Sequence, residues 1–123
     1  MTEQAQVQAP GAVFNFAQHL IERNTSRPAK IAYIDDQGSL SYGDLTIRIR
    51  RLAAALLAHG VRREERVLLL MHDCSDWPTT FLGALYAGIV PVAVNTLLNS
   101  DDYHYMLQHS RAQVAIAGSG TRP

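Results

Sequence analysis

The 123-residue chain carries eleven Lys and Arg against eleven Asp and Glu, so its formal net charge is zero and its pI lies near 7.0. That balance argues against nucleic acid or an anionic membrane as a partner. Hydrophobic content of 47% and charged content of 18% are ordinary for one soluble globular domain or part of one, and the single cysteine, Cys74, excludes an internal disulfide.

The thiol count fits a reducing, cytoplasmic compartment. No run of about 18 apolar residues predicts a membrane span. The start, residues 1–11, is polar and rich in Gln and Ala, with neither a basic nor an apolar region of a secretory signal. It reads as a disordered lead-in covering residues 1–13, with the folded portion opening at residue 14.

A short helix is predicted from Phe14-Asn15-Phe16 to about Asn24. Asn15 can cap it, Gln18 is a candidate capping-box partner, and Ala17, Leu20 and Ile21 form the inner face. Residues 30–34 read as a strand, Asp35-Asp36-Gln37-Gly38 as a hairpin turn and residues 39–42 as the returning antiparallel strand. Ser41 also stands where it can cap the next helix, with Asp44 three positions on. That helix, residues 42–59, has the clearest periodicity: Leu45, Ile49, Leu52, Ala53 and Leu56 share one face, and Gly60 ends it.

The chain is organised around the following unit. Residues 67–71 (Val-Leu-Leu-Leu-Met) form a continuous apolar run, as expected of a strand covered on both faces. A loop, His72-Asp73-Cys74-Ser75, leads to a helix over residues 76–87 with Phe81, Leu82, Leu85 and Tyr86 on one face. Gly88 stands at the left-handed stop, and residues 90–94 resume as a strand. This predicts a right-handed βαβ unit with parallel strands. Asn95 to Asn99 form a loop, Ser100 is the expected cap of a helix with Asp101 and Asp102 in its first turn, and Tyr103, Met106 and Leu107 supply its apolar face. Residues 113–117 read as a third buried strand. The order is that of an α/β fold: a partial doubly wound sheet, with a parallel βαβαβ core after an N-terminal helix and β-hairpin.

In such sheets ligands sit beyond the carboxyl ends of the strands, here His72-Asp73-Cys74-Ser75, Asn95-Thr96 and Gly118-Ser119-Gly120. These ends are mildly acidic, since residues 1–66 hold nine of the eleven Lys and Arg. His72 and Asp73 could form an acid–base pair; the plainer alternative is a polar loop in which Asp73 or Ser75 caps the next helix. Cys74 could be a nucleophile, but no histidine is placed by sequence to activate it, and a structural thiol is the stronger reading. Asn95 either touches a ligand or ties down its own loop, the second being favoured. His104 and His109, five apart, fall on different helix faces, and no cysteine pair offers a zinc site. Arg48, Arg50, Arg51, Arg62, Arg63 and Arg66 are interspersed with Asp44, Glu64 and Glu65, the pattern of a solvated face. Gly118-Ser119-Gly120 lacks the spacing of a phosphate-binding loop. A three-stranded parallel sheet would be open at both edges, so the chain is expected to continue beyond residue 123 or to self-associate through those edges.

Four stretches together resemble the amino-terminal part of the adenylate-forming enzymes, which include acyl- and aryl-CoA ligases. Leu40-Ser41-Tyr42-Gly43-Asp44-Leu45 is similar to their first core motif. Leu56-Leu57-Ala58-His59-Gly60-Val61 with Glu65-Arg66-Val67 resembles the segment that follows; Glu64 stands where glycine is usual, which is expected only to stiffen the turn. Phe81 to Val92 with Asn95 resembles the second core motif, and residues 101–107 and 112–117 its continuation. The stretch from Ala87 to Leu98, preceded by Phe14-Asn15, is most similar to the benzoate-CoA ligase group.

The resemblance implies ATP-dependent formation of an acyl-adenylate from benzoate or a related aromatic carboxylate, then transfer of the acyl group to coenzyme A, with magnesium as the metal. It covers residues 14–118, and residues 14–123 are expected to be an incomplete AMP-binding domain. The family's phosphate loop, acyl pocket and catalytic lysine have no counterpart here. The resemblance therefore assigns no catalytic, cofactor-binding or metal-binding residue to this chain, and activity of the chain alone is not expected. The alternative is a self-contained α/β binding or interaction module.

Overall fold

The computed structural model describes residues 6–118 of the chain. Residues 6–14 are exposed and form neither helix nor strand. Helix α1 (Phe16–Arg23) starts where expected: Asn15 is extended and its Oδ1 accepts the Gln18 N–H at 3.1 Å. The reciprocal half of the capping box does not form, because the Gln18 side chain donates to Glu22 Oε1 one turn on. A second bond, Asn15 Nδ2 to Leu85 O at 2.8 Å, ties the helix start to a segment seventy residues away.

Strands β1 (Ile31–Asp35) and β2 (Gly38–Ser41) form the antiparallel hairpin, with Asp36 and Gln37 as the turn and Gly38 at φ 133°. Helix α2 (Tyr42–Ala58) follows without a linker. Ser41 Oγ accepts the Asp44 N–H at 3.2 Å, so one residue ends the strand and caps the helix. Leu45, Ile49, Ala53 and Leu56 of α2 are buried.

Strands β3 (Arg66–Leu70), β4 (Val90–Ala93) and β5 (Val114–Ala117) make one parallel sheet in the order β4-β3-β5. Helix α3 (Asp76–Tyr86) connects the first two and helix α4 (Ser100–Ser110) the second and third. Chain direction across the sheet thus reverses at β3, as in doubly wound folds. Val67, Leu68, Leu69 and Leu70 are at most 2% exposed, and each such side chain contributes roughly 1.5–3 kcal/mol by leaving water. Val67 joins Leu56, Val61, Ala84 and Ile89 in one core cluster, on which Val114 and Ile116 pack. A second cluster, Ala17, Leu40, Leu45, Ile49 and Leu82, binds α1 and the hairpin to α2 and α3. Between these two helices the backbones approach closely at Gly83, where an added Cβ would lie 2.6 Å from Leu52 Cδ2.

The structure corrects four expectations. Only β3 is buried along its length, at every residue after Arg66. In β5, Val114 and Ile116 are half-buried while Ala115 and Ala117 are exposed, and in β4 Val90 and Ala93 are exposed. An apolar run reports a strand's preference, not its position, and an edge strand has one neighbour fewer to cover it. The cap of α4 is Asn99, not Ser100: Asn99 is extended and its Oδ1 accepts the Asp102 N–H at 2.9 Å, whereas Ser100 is already helical. Asp44 sits in the first turn of α2 but its carboxylate returns no bond to Ser41, so that capping box is half formed. Glu64 does more than stiffen its turn. It lies at φ 67°, where a side chain costs on the order of 1–2 kcal/mol, and its N–H donates to Gly88 O at 2.8 Å. Gly88 itself is at φ 76°, the expected left-handed stop.

Candidate functional site

A cleft of about 540 Å³ opens between the hairpin turn and the segment that leaves β3. Tyr33, Ile34, Asp35, Asp36 and Gln37 line one wall; Asp73, Cys74, Ser75, Trp77 and Pro78 line the other. Parallel strands put the loop after β3 at the carboxyl edge of the sheet, where such folds place ligands. Pro78 is tolerated in the first turn of α3 because that turn's N–H groups have no partner within the helix.

The walls are joined by one carboxylate. Asp35 Oδ2 accepts the Ser75 N–H at 2.8 Å, and Oδ1 accepts the Gln37 N–H at 2.9 Å. The Ser75 bond, followed by the Gln37 bond, holds the Asp35 carboxyl below the usual carboxylate range. Burial, with a lesser contribution from neighbouring Tyr42, pushes the Tyr33 phenol upward. Trp77 stacks on Phe81 with ring centroids 5.2 Å apart.

Of the residues singled out from sequence, His72, Asp73, Cys74 and Ser75 share this loop. His72 and Asp73 are exposed, and no hydrogen bond joins them. Neither Asp73 nor Ser75 caps α3 with its side chain. Ser75 is in the helical region (φ −63°, ψ −22°), and its backbone O instead accepts the Thr79 hydroxyl at 2.8 Å. Cys74 is a free, partly buried thiol. Asn95 ties down its own loop, its Oδ1 accepting the Leu97 N–H at 2.9 Å. His104 and His109 are exposed on α4, with His109 stacked on Tyr105. The basic residues lie on an exposed face, where Arg48 approaches Asp76 at 3.7 Å. Gly118 closes β5 by donating its N–H to Leu70 O at 3.0 Å, while Ser119 and Gly120 lie outside the described residues.

Two contributors escaped the reading of the sequence. Asp35 looked like turn chemistry alone. Tyr103 looked like a helix-face residue, yet its hydroxyl donates to Asn95 O at 2.8 Å and accepts the Leu98 N–H at 3.1 Å, closing the loop after β4. Among the described residues no group of three His, Cys, Asp or Glu side chains could hold a metal ion. No helix among them is long and apolar enough to cross a membrane.

Comparison with known proteins places this architecture. The sequence profile of a family described as AMP-binding enzyme matches residues 20–122. The chain belongs to that family. It is 45% identical over 113 residues to a benzoate–CoA ligase of Thauera aromatica, covering 89% of this chain and 21% of that protein. It is 44% identical over 112 residues to a 4-hydroxybenzoate–CoA/benzoate–CoA ligase of Rhodopseudomonas palustris, again covering 89% and 21%. Among solved structures, a benzoate CoA ligase from Burkholderia xenovorans LB400 superposes with a TM-score of 0.88 at 54% identity, covering 89% of this chain and 22% of that one. This chain therefore spans about a fifth of the length of the relatives it matches. The matched region is the amino-terminal part of the adenylate-forming fold, and the match does not favour a self-contained module.

Proposed function

We propose that this chain is the amino-terminal scaffold of an AMP-forming aryl-CoA ligase of the benzoate type. The observation that carries the reading is the joint sequence and backbone likeness to the Burkholderia xenovorans benzoate CoA ligase over nearly nine-tenths of the chain. In the parent reaction ATP and an aromatic carboxylate give an acyl-adenylate and pyrophosphate, and the thiol of coenzyme A then displaces AMP. ATP, magnesium, coenzyme A and benzoate or a close relative are thus substrates and cofactors of the parent enzyme, in the cytoplasm. The described residues supply packing for that reaction rather than chemistry: caps, helix stops and a buried central strand account for the family motifs they carry. Residues 14–123 act as an incomplete AMP-binding domain, and the outer edges of β4 and β5 as the surfaces through which the sheet extends or self-associates; residues 1–5 of the expected lead-in lie outside the described residues.

The test is to sequence the locus beyond the codon for Pro123, express the whole reading frame, and assay benzoyl-CoA and AMP formation from benzoate, ATP and coenzyme A. Turnover by the longer protein, with none from residues 1–123 alone, is the expected result. Benzoyl-CoA formation by the 123-residue chain would overturn the scaffold role. A stop codon after Pro123 together with a stable dimer in light scattering would replace the reading with a self-contained module.

A further inference from the structure

The two walls of the cleft come from segments forty residues apart, and their attachments differ. The base of the hairpin is anchored: Leu40 is in the core and Tyr42 N–H donates to Lys30 O at 2.9 Å. Its tip is not, with Ile34 76% exposed and Asp36 and Gln37 in solvent. The opposite wall starts from the buried strand β3. Between tip and loop stands the Asp35 carboxylate, which takes up the Ser75 N–H at the start of α3. That donor belongs to the turn opening a helix, where backbone N–H groups lack intrahelical partners and a negative charge is favoured by the helix dipole. Asp36 and Asp73 also line the cleft, no Lys or Arg does, and Asp36 forms no bond across it.

We infer that Asp35 is a latch. It pins the hairpin tip across the loop that follows the central strand, and its release widens the cleft and exposes the Cys74–Trp77 turn while the sheet stays folded. This inference does not rest on the ligase reading, and its test needs no ligand.

The chain holds its own reporters, because its one cysteine and its one tryptophan both line the cleft. In the 123-residue chain, Asp35→Ala should speed maleimide labelling of Cys74 severalfold, raise acrylamide quenching of Trp77 and hasten amide exchange at Ser75. Amide exchange at residues 67–70 and the far-ultraviolet circular dichroism should not change. Asp35→Asn keeps one carbonyl acceptor and should fall between Asp35→Ala and the parent. Asp36→Ala, in the same turn, should label at the parent rate. The latch is refuted if Asp35→Ala labels Cys74 no faster than the parent, or if Asp36→Ala is equally fast. It is refuted equally if Asp35→Ala loses its circular dichroism, since release would then mean unfolding.

Discussion

Two loops leave the carboxyl edge of the same sheet and are held in opposite ways. The loop after β4 is closed from within: Asn95 accepts the Leu97 N–H, and the buried Tyr103, eight residues on, bridges Asn95 O and Leu98 N. The loop after β3 is closed from outside, by Asp35 on another hairpin. A locally closed loop forms with its own helix and shares that helix's stability. A loop closed at a distance depends on the packing of a second element and can open without it.

The contrast predicts a ladder of effects. Tyr103→Phe keeps the ring but strips two backbone groups of their partner, so about 1–3 kcal/mol of stability should go. Urea denaturation of the two chains measures this, and an unchanged midpoint would show that water replaces the hydroxyl. Asn95→Ala removes one exposed bond and should cost about 0.5–1.5 kcal/mol, with faster amide exchange at Leu97 but not at Ser75. If Ser75 exchange also rose, the two loops would not be independent.

The smallest effect near neutrality should come from acid acting on Asp35. Its folded carboxyl lies below the usual range, so its contribution is complete above about pH 4 and is lost as pH falls through the folded value. The groups facing it are Asp36, Asp73, Tyr33 and Cys74, none of them a cation at neutral pH, with Asp76 turned to Arg48. Trp77 quenching should therefore rise on acidification in the parent chain and stay flatter in Asp35→Asn. Equal slopes would show that Asp35 does not carry the acid sensitivity.

Much of this was legible because the signals are local. The caps at Asn15 and Ser41, the helical face of Leu45, Ile49, Ala53 and Leu56, and the left-handed Gly88 each depend on neighbours within a turn. The cap of α4 was expected at Ser100, and the backbone puts it one residue earlier, at Asn99, whose side chain has an equal propensity for that position. The half-exposure of β5 had a signal that passed unread: Val-Ala-Ile-Ala alternates large inward and small outward side chains. The Asp35–Ser75 bond had none. Nothing within ten residues of Asp35 announces a partner forty positions later, and a turn aspartate binding its own backbone accounts for the residue in full. The candidate site was legible as far as the β3 loop and no further, because its opposite wall is set by how the hairpin docks.

The strand order has a consequence for synthesis. Strand β4 pairs with β3 soon after it is made, Val67 meeting Pro91, but the other edge of β3 waits for β5, whose Val114 partners the same Val67 forty-seven residues later. At roughly 5–20 residues per second that wait is about 2–9 s. For those seconds the most apolar strand of the nascent chain offers a row of unpaired N–H and C=O groups, the template on which strands from other chains add. Any delay between the emergence of β4 and that of β5 prolongs this state, so slower synthesis of the segment that separates them lowers the yield of folded protein.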